Sequence, residues 1–163
     1  MSAIIVFHGG TQVIDEPVCK FGRQNLDFGA GFYVTDLREQ AVSWANNMAK
    51  SRKESPILNS YRMDRDAILN NYKCKVFTAY DKEWLEFIVA NRQGLNEARK
   101  YDYVEGGVAN DRVVDTVNLY VAGLMDISTA LGELSKHQPN NQMCILNQDI
   151  INKHFTYHGT ENL

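Results

Sequence analysis

Ala3–His8 is a β-branched apolar run closed by Gly9-Gly10, and that combination leaves it one reading: a buried strand that ends in a tight turn. The next strand, Gly31–Thr35, comes only after an irregular stretch over 11–30 that holds Pro17, Gly22 and Gly29. Thr35 or Asp36 then caps a helix reaching about Lys50, with Ala41, Trp44, Ala45 and Met48 on one face. Further strands are expected at Ile57–Met63, Cys74–Ala79, Tyr101–Val108 and Gln142–Leu146. Asp81 caps a helix to about Asn91 with Trp84, Leu85 and Ile88 as its apolar stripe; Asp111–Gly123, Ser128–Lys136 and Asp149–Lys153 read as helices too. His154–Tyr157 is a last strand, and the tail from Gly159 is expected to fray. Strands and helices mix without regular β-α-β alternation, which favours α+β over a doubly wound parallel sheet. No G-x-G-x-x-G follows a strand, so the usual Rossmann dinucleotide site is absent.

The 163 residues suit one domain, taken as 1–163, with a core that needs no staples. A net charge of -3 argues against a broad electrostatic hold on nucleic acid, though not against a nucleic-acid substrate in a local cleft. The one tight basic cluster, Lys50, Arg52 and Lys53, reads as a solvated helix end. Cys19, Cys74 and Cys144 are odd in number and form no C-x-x-C pair. With His8, His137, His154 and His158 they show no zinc-like spacing, so no metal is expected, and the thiols read as reduced and packed. No signal peptide or membrane-length apolar run is seen, so a cytoplasmic protein without a membrane partner is the default, with secretion by a signal-less route open.

Three places carry candidate chemistry. Phe7-His8-Gly9-Gly10-Thr11 puts a histidine at a strand end beside glycines that let a flat ligand approach the backbone. Taken alone, such a histidine is more often structural. Leu26-Asp27-Phe28-Gly29-Ala30-Gly31-Phe32-Tyr33-Val34-Thr35 precedes a helix with Gln40-Ala41 and Trp44-Ala45. Tyr33 and Trp44 lie eleven residues apart on consecutive elements; two rings facing one cleft can sandwich a planar heterocycle, and a cationic one adds attraction to the ring faces. Either aromatic alone reads better as core. Asn140-Asn141-Gln142-Met143 sets Gln142 at the mouth of a late strand, where an edge-strand glutamine is the bland alternative.

Together these motifs resemble the ADP-ribosyltransferase superfamily, in the His-Tyr-Glu branch of diphtheria toxin and the poly(ADP-ribose) polymerases. More narrowly, residues 4–157 resemble a family of bacterial ADP-ribosyltransferase-like domains. The pattern His-Gly, Asp-Phe-Gly-x-Gly-Phe-Tyr-x-Thr, Gln-Ala-x-x-Trp-Ala is the most distinctive part. Glu83-Trp84-Leu85-Glu86-Phe87-Ile88 with Asn91-Arg92, and Gly106-Gly107-Val108-Ala109-Asn110-Asp111, also fit.

The resemblance implies an ADP-ribosyltransferase-like α+β fold: two facing, mostly antiparallel sheets, flanking helices and an NAD cleft. It assigns His8 to an NAD ribose, the Gly9 backbone to the nicotinamide amide, with Gly10 and Thr11 beside it, and the Tyr33 and Trp44 rings to the nicotinamide. Thr35 shapes the pocket floor, and Arg23 is a weaker candidate for the phosphates. The chain departs from the pattern at Gln142, where the superfamily carries Glu: Gln keeps a hydrogen bond to the ribose but loses the charge that stabilises the breaking glycosidic bond. Asp111 and Asp115 are substitutes by chain position only. A second His-Gly-Thr, His158-Gly159-Thr160, is discounted because it lies at the terminus and not on a first strand. With His8, Tyr33 and Gln142 as its catalytic set, the expectation is an NAD-dependent mono-ADP-ribosyltransferase acting on a protein or nucleic acid, as a toxin with a cognate antitoxin. The rivals are a silent NAD-binding module, which Gln142 favours, and an NAD glycohydrolase.

Overall fold

The computed structural model describes residues 3–19, 26–109 and 111–163, without the side chain of Asp111. The expectation for Arg23 lies outside the described residues. The architecture is mixed, with two sheets and six helices among those residues.

Sheet 1 is antiparallel and ordered β1-β3-β7, from β1 (Ala3–Gly10), β3 (Ile57–Asp64) and β7 (Phe155–Asn162). Sheet 2 is ordered β2-β6-β5-β4, from β2 (Phe32–Val34), β6 (Asn141–Ile145), β5 (Tyr103–Gly107) and β4 (Cys74–Val76); only β4 and β5 run parallel. The sheets pack through one apolar layer, with Val6, Tyr61 and Met63 from sheet 1 against Phe32, Val34, Tyr103, Met143 and Ile145 from sheet 2. Strand alternation sends the intervening residues the other way. Cys144 and Val104 therefore meet a second core of Phe28, Trp84, Leu85, Ile88, Val113, Val117 and Leu134 beneath α3 (Lys82–Arg92), α4 (Asp111–Val121) and α5 (Ile127–Leu134).

Local chemistry sets the helix ends. The Asp81 carboxylate accepts from Trp84 N at 2.9 Å, which opens α3 where the sequence expects it. Asp126 does the same for α5. The helix α1 (Arg38–Arg52) departs from expectation: Leu37 is its N-cap without a side-chain bond, so neither Asp36 nor Thr35 caps it. Thr35 is instead held by the sheets, with Oγ1 donating to Asn141 O at 2.8 Å.

Three further elements differ from expectation. The strand expected over Cys74–Ala79 stops at Val76. A helix the hydrophobic pattern does not announce, α2 (Arg65–Asn71), follows β3 directly and is capped by Asp64, whose carboxylate accepts from Ala67 N at 3.2 Å. The tail expected to fray from Gly159 is strand to Asn162, because β3 pairs with it from Met63↔Phe155 to Ile57↔Asn162. His158-Gly159-Thr160 thus lies on a strand after α6 (Gln148–His154), with a bulge at His158, which the pairing skips between Tyr61↔Tyr157 and Ser60↔Gly159. Cys19 and Cys144 are buried, Cys74 is half-buried, and all three are free.

Candidate functional site

The candidate residues gather where the two sheets meet. Phe7 of β1 exchanges both backbone bonds with Thr35, Phe7 N donating to Thr35 O at 2.8 Å and Thr35 N donating to Phe7 O at 2.9 Å, and this is the single bridge between the sheets among the described residues. Backbone polar groups of alternate residues in a strand point to the same edge, so Gly9 and Tyr33 present theirs toward each other two residues on. No bridge continues the ladder there. The strands part, β1 staying with β3 through Gly10↔Ile57 and β2 with β6 through Tyr33↔Cys144.

His8 stands in this seam. Its Nδ1 donates to the Tyr33 carbonyl at 2.7 Å, and its ring stacks on Phe32 with centroids 4.4 Å apart and planes 23° apart. A carbonyl only accepts, so the hydrogen sits on Nδ1 and a neutral ring keeps Nε2 as an acceptor. Burial pushes the imidazole pKa below its usual value, partly offset by the Tyr33 carbonyl.

Tyr33 is half-buried, and its hydroxyl is spent on the chain before it: it accepts from Phe28 N at 2.9 Å and donates to Gly29 O at 2.7 Å. Burial raises its pKa well above the phenol range. The same loop is held from behind by α3, where Arg92 Nε meets the Asp27 carboxylate at 2.5 Å and Asn91 Nδ2 donates to Asp27 O at 2.8 Å. Asp27-Phe28-Gly29 and Asn91-Arg92 are therefore two halves of one clamp that sets the Tyr33 ring.

Gly9 has a specific steric role. A Cβ there would stand 1.8 Å from Ala41 O and 2.8 Å from Ala45 N, so α1 lies directly on this strand end. The face expected to admit a flat ligand is filled by helix backbone, which leaves only the strand edge of Gly9 for recognition. Ala41, Ala45 and Ala49 are buried in that contact, and Trp44 and Met48 flank it half-buried. Paired residues of neighbouring strands share a face, so the Phe7–Thr35 bridge puts Gly9, α1, Tyr33 and Thr35 on one side. No ring contact joins Tyr33 and Trp44 among the described residues. His8 belongs to the opposite face with Phe32 and reaches the site through the seam. Gly10 lies beside both His8 and Met48, while Thr11 donates to Glu54 at 3.3 Å, away from the seam.

Gln142 is on β6, second in the order β2-β6-β5-β4, so it is not an edge-strand residue. It pairs with Gly106, one step from Val34↔Met143, which puts it beside Thr35 and on the face of Tyr33. The residue is 5% exposed, yet its carboxamide makes no hydrogen bond among the described residues. No fully enclosed side-chain N or O among them lacks a partner, so the amide tip reaches open space.

Of the two aspartates considered as substitutes, Asp111 has its side chain outside the described residues. Asp115 is exposed on α4. Glu105, which the sequence reading passed over, is buried one ladder step away but on the inter-sheet face. It accepts from Arg65 Nε at 2.8 Å, Arg65 Nη2 at 2.7 Å and the Tyr103 hydroxyl at 2.6 Å. Those bonds raise the Arg65 pKa, and burial with Glu105 raises that of Tyr103. A glutamate amid strand hydrophobics, followed by Gly-Gly, is the signal available for it in sequence. No group of His, Cys, Asp and Glu among the described residues is arranged to hold a metal ion, and no helix there is long and apolar enough to cross a membrane.

The chain matches the model of a protein family of unknown function, DUF3990, over residues 4–157, and it belongs to that family. No curated protein and no solved structure matches it.

Proposed function

We propose that the protein has an ADP-ribosyltransferase-like fold and uses NAD to ADP-ribosylate a macromolecule. The observation that carries this reading is the parted β1–β2 seam, with the Gly9 strand edge, the His8 ring and the Tyr33 strand around it and Gln142 opening onto the Tyr33 side. In it, the edge of Gly9 recognises the nicotinamide amide, Tyr33 and Trp44 supply ring faces, and Nε2 of His8 accepts from a ribose hydroxyl. Gln142 orients the nicotinamide ribose. The glycosidic C–N bond breaks, nicotinamide leaves, and the acceptor loses a proton as its new bond to the ribose forms. The acceptor is a protein or a nucleic acid, and in the toxin role implied by the resemblance a cognate antitoxin would block the seam.

The experiment is nicotinamide release from NAD, with and without cell lysate, by the natural chain and by Gln142→Glu. Glu restores charge next to the breaking bond, so release rises on the order of tenfold, about 1.4 kcal/mol of barrier. Gln142→Ala abolishes release. Lysate-dependent release supports transfer, whereas equal release without lysate makes the enzyme a glycohydrolase. A silent NAD-binding module is the second reading. It is favoured by one observation: the one buried carboxylate among the described residues, Glu105, faces away and is bound to Arg65. NAD binding by calorimetry with no release from either the natural chain or Gln142→Glu establishes that alternative.

A further inference from the structure

A second concavity lies on the inter-sheet side of sheet 1, beyond Tyr61, between the 15–18 segment, α6 and the start of β7. Its volume is about 400 Å³, within the range that holds a small ligand. The segment forming one wall is held by side chains far away in the chain. Tyr61 donates its hydroxyl to Ile14 O at 2.5 Å, and buried Asn59 accepts from Ile14 N at 3.0 Å and donates to Gln12 O at 2.9 Å. Gln148 donates to Pro17 O at 3.0 Å and accepts from Cys19 N at 2.9 Å. These bonds hold the wall in place without any ligand.

The chemistry of the lining is one-sided. Tyr61 packs against Phe155 and Tyr157, with centroids at 5.8 and 6.1 Å and planes tilted by 49° and 58°, so the rings splay around the space. Phe155 is half-buried and Tyr157 exposed, which leaves ring surface open to it. Tyr157 is steadied by a hydrogen bond between its hydroxyl and Thr160, which in turn donates to Asn59 at 2.8 Å. Asp15 and Glu16 stand at the rim, exposed, and neither takes part in an ion pair among the described residues. Among the described residues no Lys, Arg or His lines the cavity.

We propose that this cavity binds a guanidinium group. A planar, weakly hydrated cation stacks on splayed rings and offers paired N–H donors to carboxylates, so both halves of the lining favour it over a neutral ligand. The site is independent of the seam. The same group occurs in small free cations and in arginine side chains of a partner, and the probes separate these sources.

The experiment is an NMR titration of the full chain with ethylguanidinium, its neutral counterpart ethylurea, and a capped Gly-Arg-Gly peptide. Ethylguanidinium shifts the Phe155 and Tyr157 ring signals saturably, and ethylurea does not. Asp15→Asn with Glu16→Gln, two exposed changes that leave the core intact, weakens ethylguanidinium about fivefold, a cost of about 1 kcal/mol. Tighter binding of the peptide assigns the site to an arginine side chain, and equal binding assigns it to a free cation. Equal shifts with ethylurea, or no saturable shift with either cation, overturn the proposal.

Discussion

Gln142 and Glu105 sit on neighbouring strands, one ladder step apart, and both are buried. Glu105 carries a charge and uses it fully, on both guanidinium donors of Arg65 and on the Tyr103 hydroxyl. Gln142 carries none and forms no bond within the described chain. The opposite faces of one sheet have thus taken opposite solutions. The inter-sheet face satisfies its polar group internally, because a buried carboxylate without partners is prohibitively costly. The outer face leaves a neutral polar group with its tip open. A satisfied polar cluster serves the architecture, whereas an open amide tip is left to bond water or a ligand.

The sharpest way to break this contrast is Glu105→Ala. It strands Arg65 beside the core and should lower unfolding free energy by about 3 kcal/mol, the low end for a broken buried pair because the Arg65 side chain stays 32% exposed. Urea denaturation measures it, and a loss below 1 kcal/mol, about the size of an ordinary surface pair, would dissolve the distinction. Next in size is Tyr33→Phe, which keeps the ring but removes the hydroxyl from Phe28 N and Gly29 O. Stability should fall by about 1–2 kcal/mol, while NAD affinity, if the seam reading holds, falls less than in Tyr33→Ala.

A smaller effect belongs to His8. Its folded pKa lies below the ordinary value of 6.5 through burial, so the unfolded chain takes up the proton first. Above that value the histidine contributes no pH dependence; as pH falls through it toward the folded pKa, stability is lost. The melting temperature of the natural chain should therefore drop more between pH 7.5 and pH 5.5 than that of His8→Asn, and parallel curves would place His8 in contact with water. The smallest effect is expected from Gln142→Leu. With no internal bond to lose, unfolding free energy should stay within about 0.5 kcal/mol of the natural chain. A loss comparable to that of Glu105→Ala would show that Gln142 is an architectural residue after all.

Much of this molecule is legible in the chain. Ala3–His8 reads as a strand from its β-branched residues, but the tight turn expected at Gly9-Gly10 is not formed, because both glycines stay paired with β3 and the strand runs to Gly10. Asp81 and the Trp84, Leu85, Ile88 stripe determine α3 from within ten residues, since a cap and a helical period are local properties. The Tyr33 strand follows from its local strand propensity, and the Trp44 helix from its apolar period alone, since its expected cap is not used. What tertiary structure alone decided has partners far away in sequence. Gly9 is glycine because Ala41 backbone lies on it, not because a ligand must. The tail became β7 because β3 offered it a free edge. Gln142 became an interior strand residue because β2 took the edge position beside it, and Glu105 became an anchor because Arg65 arrived from the start of α2. Strand propensity says that a segment extends; which edge it joins, and so which side chains share a face, depends on pairing and packing energies that exist only once the distant chain is in place.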